Sequence, residues 1–377
     1  MQLNHKIKLS MATIAILSSV NLSASNSDYV RINYMNYSES DNRVDVSAPA
    51  IEVSKDFGVD YTLKASLVSD TVSGATPVYT DTTSGASAFS SRGTVANPSN
   101  IKKTNVDFDE QRTALNTSLT QRLKNRDEIN YGFNFSYESD YQAIGLNAGY
   151  LHWMDSSKNR SLNFGLSYAN NTILNRHDSI SGASKKETSS AVELEVGITQ
   201  IIDIKSLVNI SLFYSNESGY LTNPYYNIVR NTNEITVEAR PDSRVSSGLN
   251  IGYTRAFSKD FTSKANYKYY SDDWGISSHT IDINNYYEIN SKFTLGFGYR
   301  YYTQSAADFY NSSITYFTSE QYASHDDRLS SFNSSTIKTS LDYKYSKKLS
   351  YNVSFNKYSQ STGLDAVYSN IGVKYKF

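Results

Sequence analysis

Val367-Tyr368-Ser369-Asn370-Ile371-Gly372-Val373-Lys374-Tyr375-Lys376-Phe377, the last stretch of the chain, alternates. Val367, Ser369, Ile371, Val373, Tyr375 and Phe377 fall on one side; Tyr368, Asn370, Gly372, Lys374 and Lys376 fall between them. Side chains on a strand point to opposite faces with a period of two, so this segment has one apolar face and one wet face. A strand of that kind finishing on an aromatic residue reads as the closing strand of a membrane barrel. Tyr375 and Phe377 are then the signal that barrel-assembly machinery takes up by strand addition.

The same alternation recurs upstream, in Ile129-Tyr131-Phe133-Phe135-Tyr137, Leu162-Phe164-Leu166-Tyr168, Val192-Leu194-Val196-Ile198 and Leu249-Ile251-Tyr253. It continues in Leu295-Phe297-Tyr299-Tyr301, Leu341-Tyr343-Tyr345 and Tyr351-Val353-Phe355. A soluble β-sandwich would alternate too. The connections separate the two cases. Every second one is a short polar turn: Lys55–Gly58, Lys124–Arg126, Asp155–Asn159, Asp203–Lys205, Ser258–Asp260, Asn290–Lys292 and Ser346–Lys348. The intervening ones include long stretches from Gly74 to Asp109, Asn170 to Lys186, Ser215 to Asp242 and Thr303 to Ser335. Short turns on one rim and long loops on the other predict an all-β transmembrane antiparallel β-barrel of about 16 strands, with short periplasmic turns and long extracellular loops. The first two strands, Val30–Tyr37 and Arg43–Lys55, are the least regular, because Pro49 cannot donate to a ladder. Aromatics beside the short turns (Phe57 and Tyr61, Phe257 and Phe261, Phe293, Tyr345 and Tyr351) predict a girdle at the inner lipid boundary.

Composition agrees. Residues 1–25 read as a cleavable export signal: Lys6 and Lys8, a short apolar run from Leu9 to Leu22, then Ser23, Ala24 and Ser25. Residues 26–377 form the barrel. The chain has no Cys, so disulfides cannot brace it. Its 36 basic and 37 acidic residues nearly cancel, which excludes the basic excess of a nucleic-acid binder. The 32 Tyr and a mean hydropathy of -0.50 suit strands that meet lipid headgroups on one face and water on the other.

Two stretches are distinctive beyond pattern: Tyr267 to Tyr310, YKYYSDDWGISSHTIDINNYYEINSKFTLGFGYRYYTQSAADFY, and Leu221 to Arg244, which opens LTNPYYNIV and closes ARPDSR. With RVDVSAPAIEVSKDFG, SLVSDTVSGATP and DEQRTALN upstream, they resemble a bacterial family catalogued only as a domain of unknown function and thought to form outer-membrane barrels. The resemblance runs over most of the chain after the signal and implies the barrel fold. It supplies no activity, and Asn311–Phe332 departs from the family's pattern.

Register follows from cost. On Phe261–Ser271, Ala265, Tyr267 and Tyr269 face lipid while Lys264, Lys268 and Tyr270 face inward. A slip of one residue would turn Lys268 into the bilayer at roughly 2–4 kcal/mol. A turn centred on Asn290-Ser291 sets Asp282 opposite Arg300, and the hairpin near Gly275 brings Lys268 close to Asp282. A Lys268–Asp282–Arg300 row across neighbouring strands would brace the wall or select ions. Lys338, Asp342, Lys344, Glu193 and Glu195 are further lumen-facing candidates.

Ser271-Asp272-Asp273-Trp274-Gly275 is the sharpest local motif. Asp272 and Asp273 are weak candidates for a calcium site, since hard cations need several oxygens. A tight turn with Asp capping backbone N–H groups and Trp274 at the lipid interface explains the motif better. Asp326-Asp327 invites the same comparison with less support. Of the later histidines, His152 lies beside Trp153 near an interface, His177 and His325 sit in long loops, and His279 is the one placed to approach Asp272 or Asp273 across its hairpin. No nucleophile elbow, phosphate loop or metal motif accompanies it, so neither an enzyme nor a cofactor is expected. Gly74–Asn105 and Thr303–Ser335, rich in Ser, Thr and Gly, read first as simple solvated loops, ahead of an inward plug or an outward recognition surface. The expected partners are the outer-membrane bilayer, the assembly machinery and small polar solutes. The expected function is a passive channel for such solutes or ions, ahead of a plugged structural or ligand-binding barrel and, further behind, an outer-membrane hydrolase.

Overall fold

The computed structural model describes residues 28–377 apart from 82–100, 178–183, 224–225, 233, 313–314 and 317–318. The expected export signal, 1–25, lies outside the described residues. The strands are β1 (Tyr29–Glu39), β2 (Val44–Phe57), β3 (Tyr61–Asp81), β4 (Ile101–Arg122), β5 (Glu128–Tyr137), β6 (Tyr141–Trp153), β7 (Arg160–His177), β8 (Ser184–Asp203), β9 (Ser206–Gly219), β10 (Asn227–Arg230) and β11 (Ile235–Val237). They continue with β12 (Ser243–Ala256), β13 (Phe261–Asp272), β14 (Ser277–Glu288), β15 (Phe293–Gln304), β16 (Thr315–Tyr316), β17 (Phe332–Lys344), β18 (Leu349–Gln360) and β19 (Asp365–Lys376).

All but β10, β11 and β16 join one closed antiparallel barrel of 16 strands. The ring closes where β1 pairs with β19, from Tyr29 opposite Lys376 to Glu39 opposite Ala366. Closure satisfies every strand edge, which a lipid environment requires. Outside the wall, Ile32, Leu67, Leu146, Leu166, Leu194, Leu212, Phe297 and Ile371 are among many exposed large apolar residues. In water so continuous an apolar surface would be an aggregation site; around a barrel it is the lipid belt.

The short turns are held by their own polar residues. Ser258, Asn290 and Ser346 each accept hydrogen bonds through the side chain from the backbone N–H groups two and three residues on. This local bonding is why Ser and Asn favour turns over strands. Aromatics crowd the same rim: Phe293 stacks on Tyr343 with centroids 4.6 Å apart, and Phe257 tilts against Phe261 at 5.7 Å.

The opposite rim differs from expectation in extent. β3 runs on to Asp81 and β4 begins at Ile101, so much of Gly74–Asp109 is paired strand rather than loop. β7 and β8 likewise take up most of Asn170–Lys186. Backbone pairing needs no apolar pattern once the strands leave the bilayer, so Ser- and Thr-rich sequence hides them. β2 marks where that happens. Below Pro49 its outward residues are Ile51 and Val53, both exposed; above it the polarity inverts, with Val44, Val46 and Ala48 buried on the inner side against Val72. The ladder to β3 lapses at Ala48 and Pro49, as a residue without N–H demands.

Candidate functional site

The inner wall carries the ionic side chains. Asp282 lies directly opposite Arg300, and Lys268 opposite Thr280, one rung from Asp282. The register is the one that hairpin counting gives; the ion pair is not. Asp282 pairs with Lys338, two strands away, and also accepts a hydrogen bond from Asn284 Nδ2. Gly298 makes this possible. It sits between Asn284 and Lys338 in register, and a Cβ there would fall 2.5 Å from Asn284 Oδ1 and 3.3 Å from Lys338 Cβ. The missing side chain is the gap through which Lys338 reaches Asp282.

Arg300 consequently has no ion pair among the described residues and is exposed on the inner face. Lys268 holds its ammonium 4.8 Å from the centroid of the Phe213 ring and feels Glu193 and Glu195 on β8 electrostatically. Lys264 is exposed, 5.6 Å from the Tyr286 ring. Asp342 accepts a hydrogen bond from Asn352 Nδ2 at 2.9 Å, and Lys344 is exposed near the short-turn rim, opposite Ser350.

Above these charges lies a feature that sequence reading missed. On the inner face Tyr37, Tyr270, Tyr302 and Tyr358 each donate their hydroxyl to the acid or amide two residues further up the strand: Glu39 at 2.8 Å, Asp272 at 2.7 Å, Gln304 at 2.6 Å and Gln360 at 2.5 Å. The signal was present as Tyr-Ser-Glu, Tyr-Ser-Asp, Tyr-Thr-Gln and Tyr-Ser-Gln at the upper ends of β1, β13, β15 and β18. Tyr368, 6.3 Å from Tyr37 between ring centroids, extends the arc.

A cap crosses the mouth. The long β9–β12 and β15–β17 connections, expected as long extracellular loops, form a three-stranded sheet in the order β11-β10-β16. Ile228, Tyr316 and Ala323 make its small apolar core. β10 arises beside β9 yet approaches β3, far around the ring, with Cα atoms within 8 Å. Ion pairs around the buried Glu238 and Asp326 carboxylates tie the cap together. Arg240 bonds both Glu238, at 2.5 Å, and Asp326, at 2.7 Å; Arg328 pairs with Asp326 at 2.5 Å. Burial pushes Asp326 upward, but Arg328 and Arg240 outweigh it and hold its carboxyl at about 2. For Glu238 burial wins over Arg240, and its pKa is raised. Gln304 Nε2 anchors the cap to β15 by donating to the carbonyls of Arg328 and Ser330 at 3.0 and 2.7 Å.

The Asp272 motif is a structural hub. Its carboxylate receives Arg244 Nε at 2.9 Å, the Tyr270 hydroxyl, and the N–H groups of Trp274 and Ile276 at 3.0 and 2.9 Å. Asp273 accepts from Val245 N–H at 2.9 Å. The donors that surround Asp272 occupy the oxygens a cation would use. Trp274 is not at the lipid interface: it is buried with Ile276, Ala307 and Leu329 beneath the cap, its Nε1 donating to Ser243 O at 2.8 Å. Asp326 is likewise consumed by Arg240 and Arg328, and Asp327 takes the Tyr310 hydroxyl at 3.4 Å. A cluster that sequence did not suggest, Glu110, Glu138 and Asp140, brings carboxylate oxygens within 4.8 Å at the outer rim.

The histidines scatter. His279 shares the lipid-facing side with Ile281, the side opposite Asp272; its Nδ1 lies 2.8 Å from the Tyr267 hydroxyl, and its ring lies against Tyr269. It therefore does not approach Asp272 or Asp273. His152 joins Asp127 in a short turn, Nδ1 to Oδ2 at 3.0 Å. His325 is inside the cap, Nδ1 2.7 Å from Asn311 O. The side chain of His177 lies outside the described residues.

A closed barrel with a lipid belt, an aromatic inner rim and a polar interior defines an outer-membrane β-barrel protein. The chain belongs to the family described as "Protein of unknown function (DUF3570)", whose profile matches residues 7–372. Among solved structures it is similar to a "Bacterial polysaccharide outer membrane secretin", at 6% identity and TM-score 0.51, covering 94% of this chain and 100% of that one. The "CymD monoaromatic hydrocarbon channel" gives 10% identity and TM-score 0.45, covering 94% and 89%. The "Pseudomonas putida toluene transporter TodX" gives 10% and 0.44, covering 94% and 90%. No curated protein matches the sequence. Identities this low speak to fold alone.

Proposed function

We propose that this protein is a passive outer-membrane channel for small polar solutes and ions. The observation that carries the reading is the exposure of Lys264, Lys268 and Arg300 on the inner face of the closed wall. Charged side chains with accessible surface inside a barrel stand beside water, and a wet lumen running along the wall is a conduction path. Their charge makes Lys268 and Arg300 lumen-lining determinants of what passes, with Glu193, Glu195, Asp282, Lys338, Asp342 and Lys344 setting the surrounding field. Export through the signal at 1–25 and strand addition at Tyr375 and Phe377 by the assembly machinery complete the reading. Phe377→Ser should lower the yield of assembled barrel in cells, and an unchanged yield removes the assembly signal.

A second reading, a plugged barrel, draws on the cap, whose β10 crosses toward β3. Liposome swelling with sugars of graded size separates the two. Uptake that falls with solute size supports the channel; no uptake at any size overturns it and leaves the plugged barrel.

A further inference from the structure

Four facts meet at one place on the inner wall. Arg300 is exposed and has no ion pair among the described residues, because Lys338 has taken Asp282. It stands in register beside Asp282 and Thr336, and Thr336 is in turn beside Tyr358. Arg300 lies close enough to act electrostatically on the hydroxyls of Tyr302, Tyr358 and Tyr368. These three rings are half-buried; the residues directly opposite Tyr302 and Tyr358 on the neighbouring strands are small, Thr280 and Ser334 for Tyr302 and Thr336 and Ala366 for Tyr358, and Phe332 lies against the Tyr302 ring at 5.6 Å between centroids.

A guanidinium without a counter-ion attracts a carboxylate and can hold both its oxygens with two parallel N–H bonds. Tyrosine rings whose hydroxyls are already tethered to Gln304 and Gln360 cannot swing away, so they offer fixed apolar faces. A ligand suited to both needs an anionic group at one end and a ring at the other. We propose that Arg300, Tyr302, Tyr358 and Tyr368 form a lumenal site for small organic anions that carry an apolar ring, an aromatic carboxylate being the plainest case. Lys268, partly balanced by Glu193, lies at the edge of the site and draws anions toward it. The site deepens the channel reading and rests on the same wet lumen.

The test is equilibrium dialysis of radiolabelled benzoate against the refolded full chain in detergent, with acetate (charge without ring) and benzyl alcohol (ring without charge) as comparators. Benzoate should bind about tenfold more tightly than benzyl alcohol, one charge-assisted contact being worth about that factor, and about tenfold more tightly than acetate, which lacks the buried ring. Arg300→Gln should reduce benzoate to the level of benzyl alcohol, and Tyr302→Leu or Tyr358→Leu to that of acetate, in variants that keep the heat-modifiable migration of a folded barrel. Glucuronate, whose ring is polar, should bind no better than acetate; glucuronate matching benzoate overturns the apolar-ring requirement. Equal binding of benzoate and benzyl alcohol, or an Arg300→Gln variant that binds benzoate as the parent does, overturns it. Potassium chloride conductance in planar bilayers keeps the two ideas apart. A conducting barrel that ignores benzoate loses the site and keeps the channel; one that binds benzoate without conducting does the reverse.

Discussion

Lys338 on β17 reaches across Gly298 on β15 to pair with Asp282 on β14, and so leaves Arg300, the residue directly opposite Asp282, without a carboxylate. The interior charge pattern depends on a glycine that bears no charge. Gly298→Ala would set a Cβ 2.5 Å from Asn284 Oδ1 and 3.2 Å from the Ile283 carbonyl. Overpacking of this kind costs about 1–3 kcal/mol. Urea titration followed by the folded band on unheated gels should show an earlier midpoint; an unshifted midpoint would mean that the gap is not needed.

The same pairing sets ion preference. Asp282→Asn removes the charge opposite Lys338 and should move the reversal potential in a salt gradient toward anions. Arg300→Glu should move it toward cations. If both leave it in place, the inner wall does not act on passing ions.

The Asp272 side chain is fully buried and its carboxylate holds Arg244. Asp272→Asn keeps the shape and removes the charge, stranding a guanidinium beneath the cap. Breaking a buried pair from one side costs about 3–5 kcal/mol. Urea unfolding should report that loss, and added calcium should not change the stability of the parent. A calcium-dependent rise would restore the metal reading of this turn.

Asp127, in a short turn outside the spanning strands, gives the pH dependence. Burial alone would raise its pKa, but contacts from His152, the Tyr150 hydroxyl and the Trp153 N–H hold it down at about 2. A carboxyl lowered on folding stabilises the fold above its unfolded value near 4, and that contribution is lost as pH falls from about 4 toward 2. Asp127→Asn should flatten the stability profile in that window and leave its shape above pH 5 unaltered, as read by urea midpoints across pH.

The cap should be separable from the wall. Ile228 is fully buried against Tyr316 and Ala323. Ile228→Asp places an unpaired charge there and should unfold the cap while the barrel keeps its gel mobility. Single-channel conductance should rise; if it stays the same with the cap disordered, the cap does not restrict the lumen.

The wall was legible from sequence because lipid imposes a rule on every second residue, as in Leu194 between Glu193 and Glu195. The rims were legible because Ser258, Asn290 and Ser346 bond their own turns. Hairpin counting placed Asp282 opposite Arg300 correctly, but it sees only adjacent strands and treats Gly298 as empty rather than as a passage. Trp274 looked like an interface anchor because its burial comes from Ala307 and Leu329, supplied by a distant connection. The cap was illegible for the same reason: Ile228 and Tyr316 have no local pattern that announces their contact. The tyrosine tripeptides stood in plain view, yet they acquire meaning only once four strands are known to present one face.

The seam between β1 and β19 joins residues from opposite ends of the described chain. Asp28 accepts a backbone hydrogen bond from Phe377 at 3.0 Å, and the Phe377 ring lies 5.4 Å beneath the Lys55 ammonium. Every other wall contact joins strands that follow one another around the ring, so the wall can grow hairpin by hairpin. The seam alone must wait for both ends, and it carries the largest loop-closure cost of any pairing in the wall. Until it zips, two raw edges travel with the nascent sheet; once closed, the wall leaves no strand edge for another chain to grip.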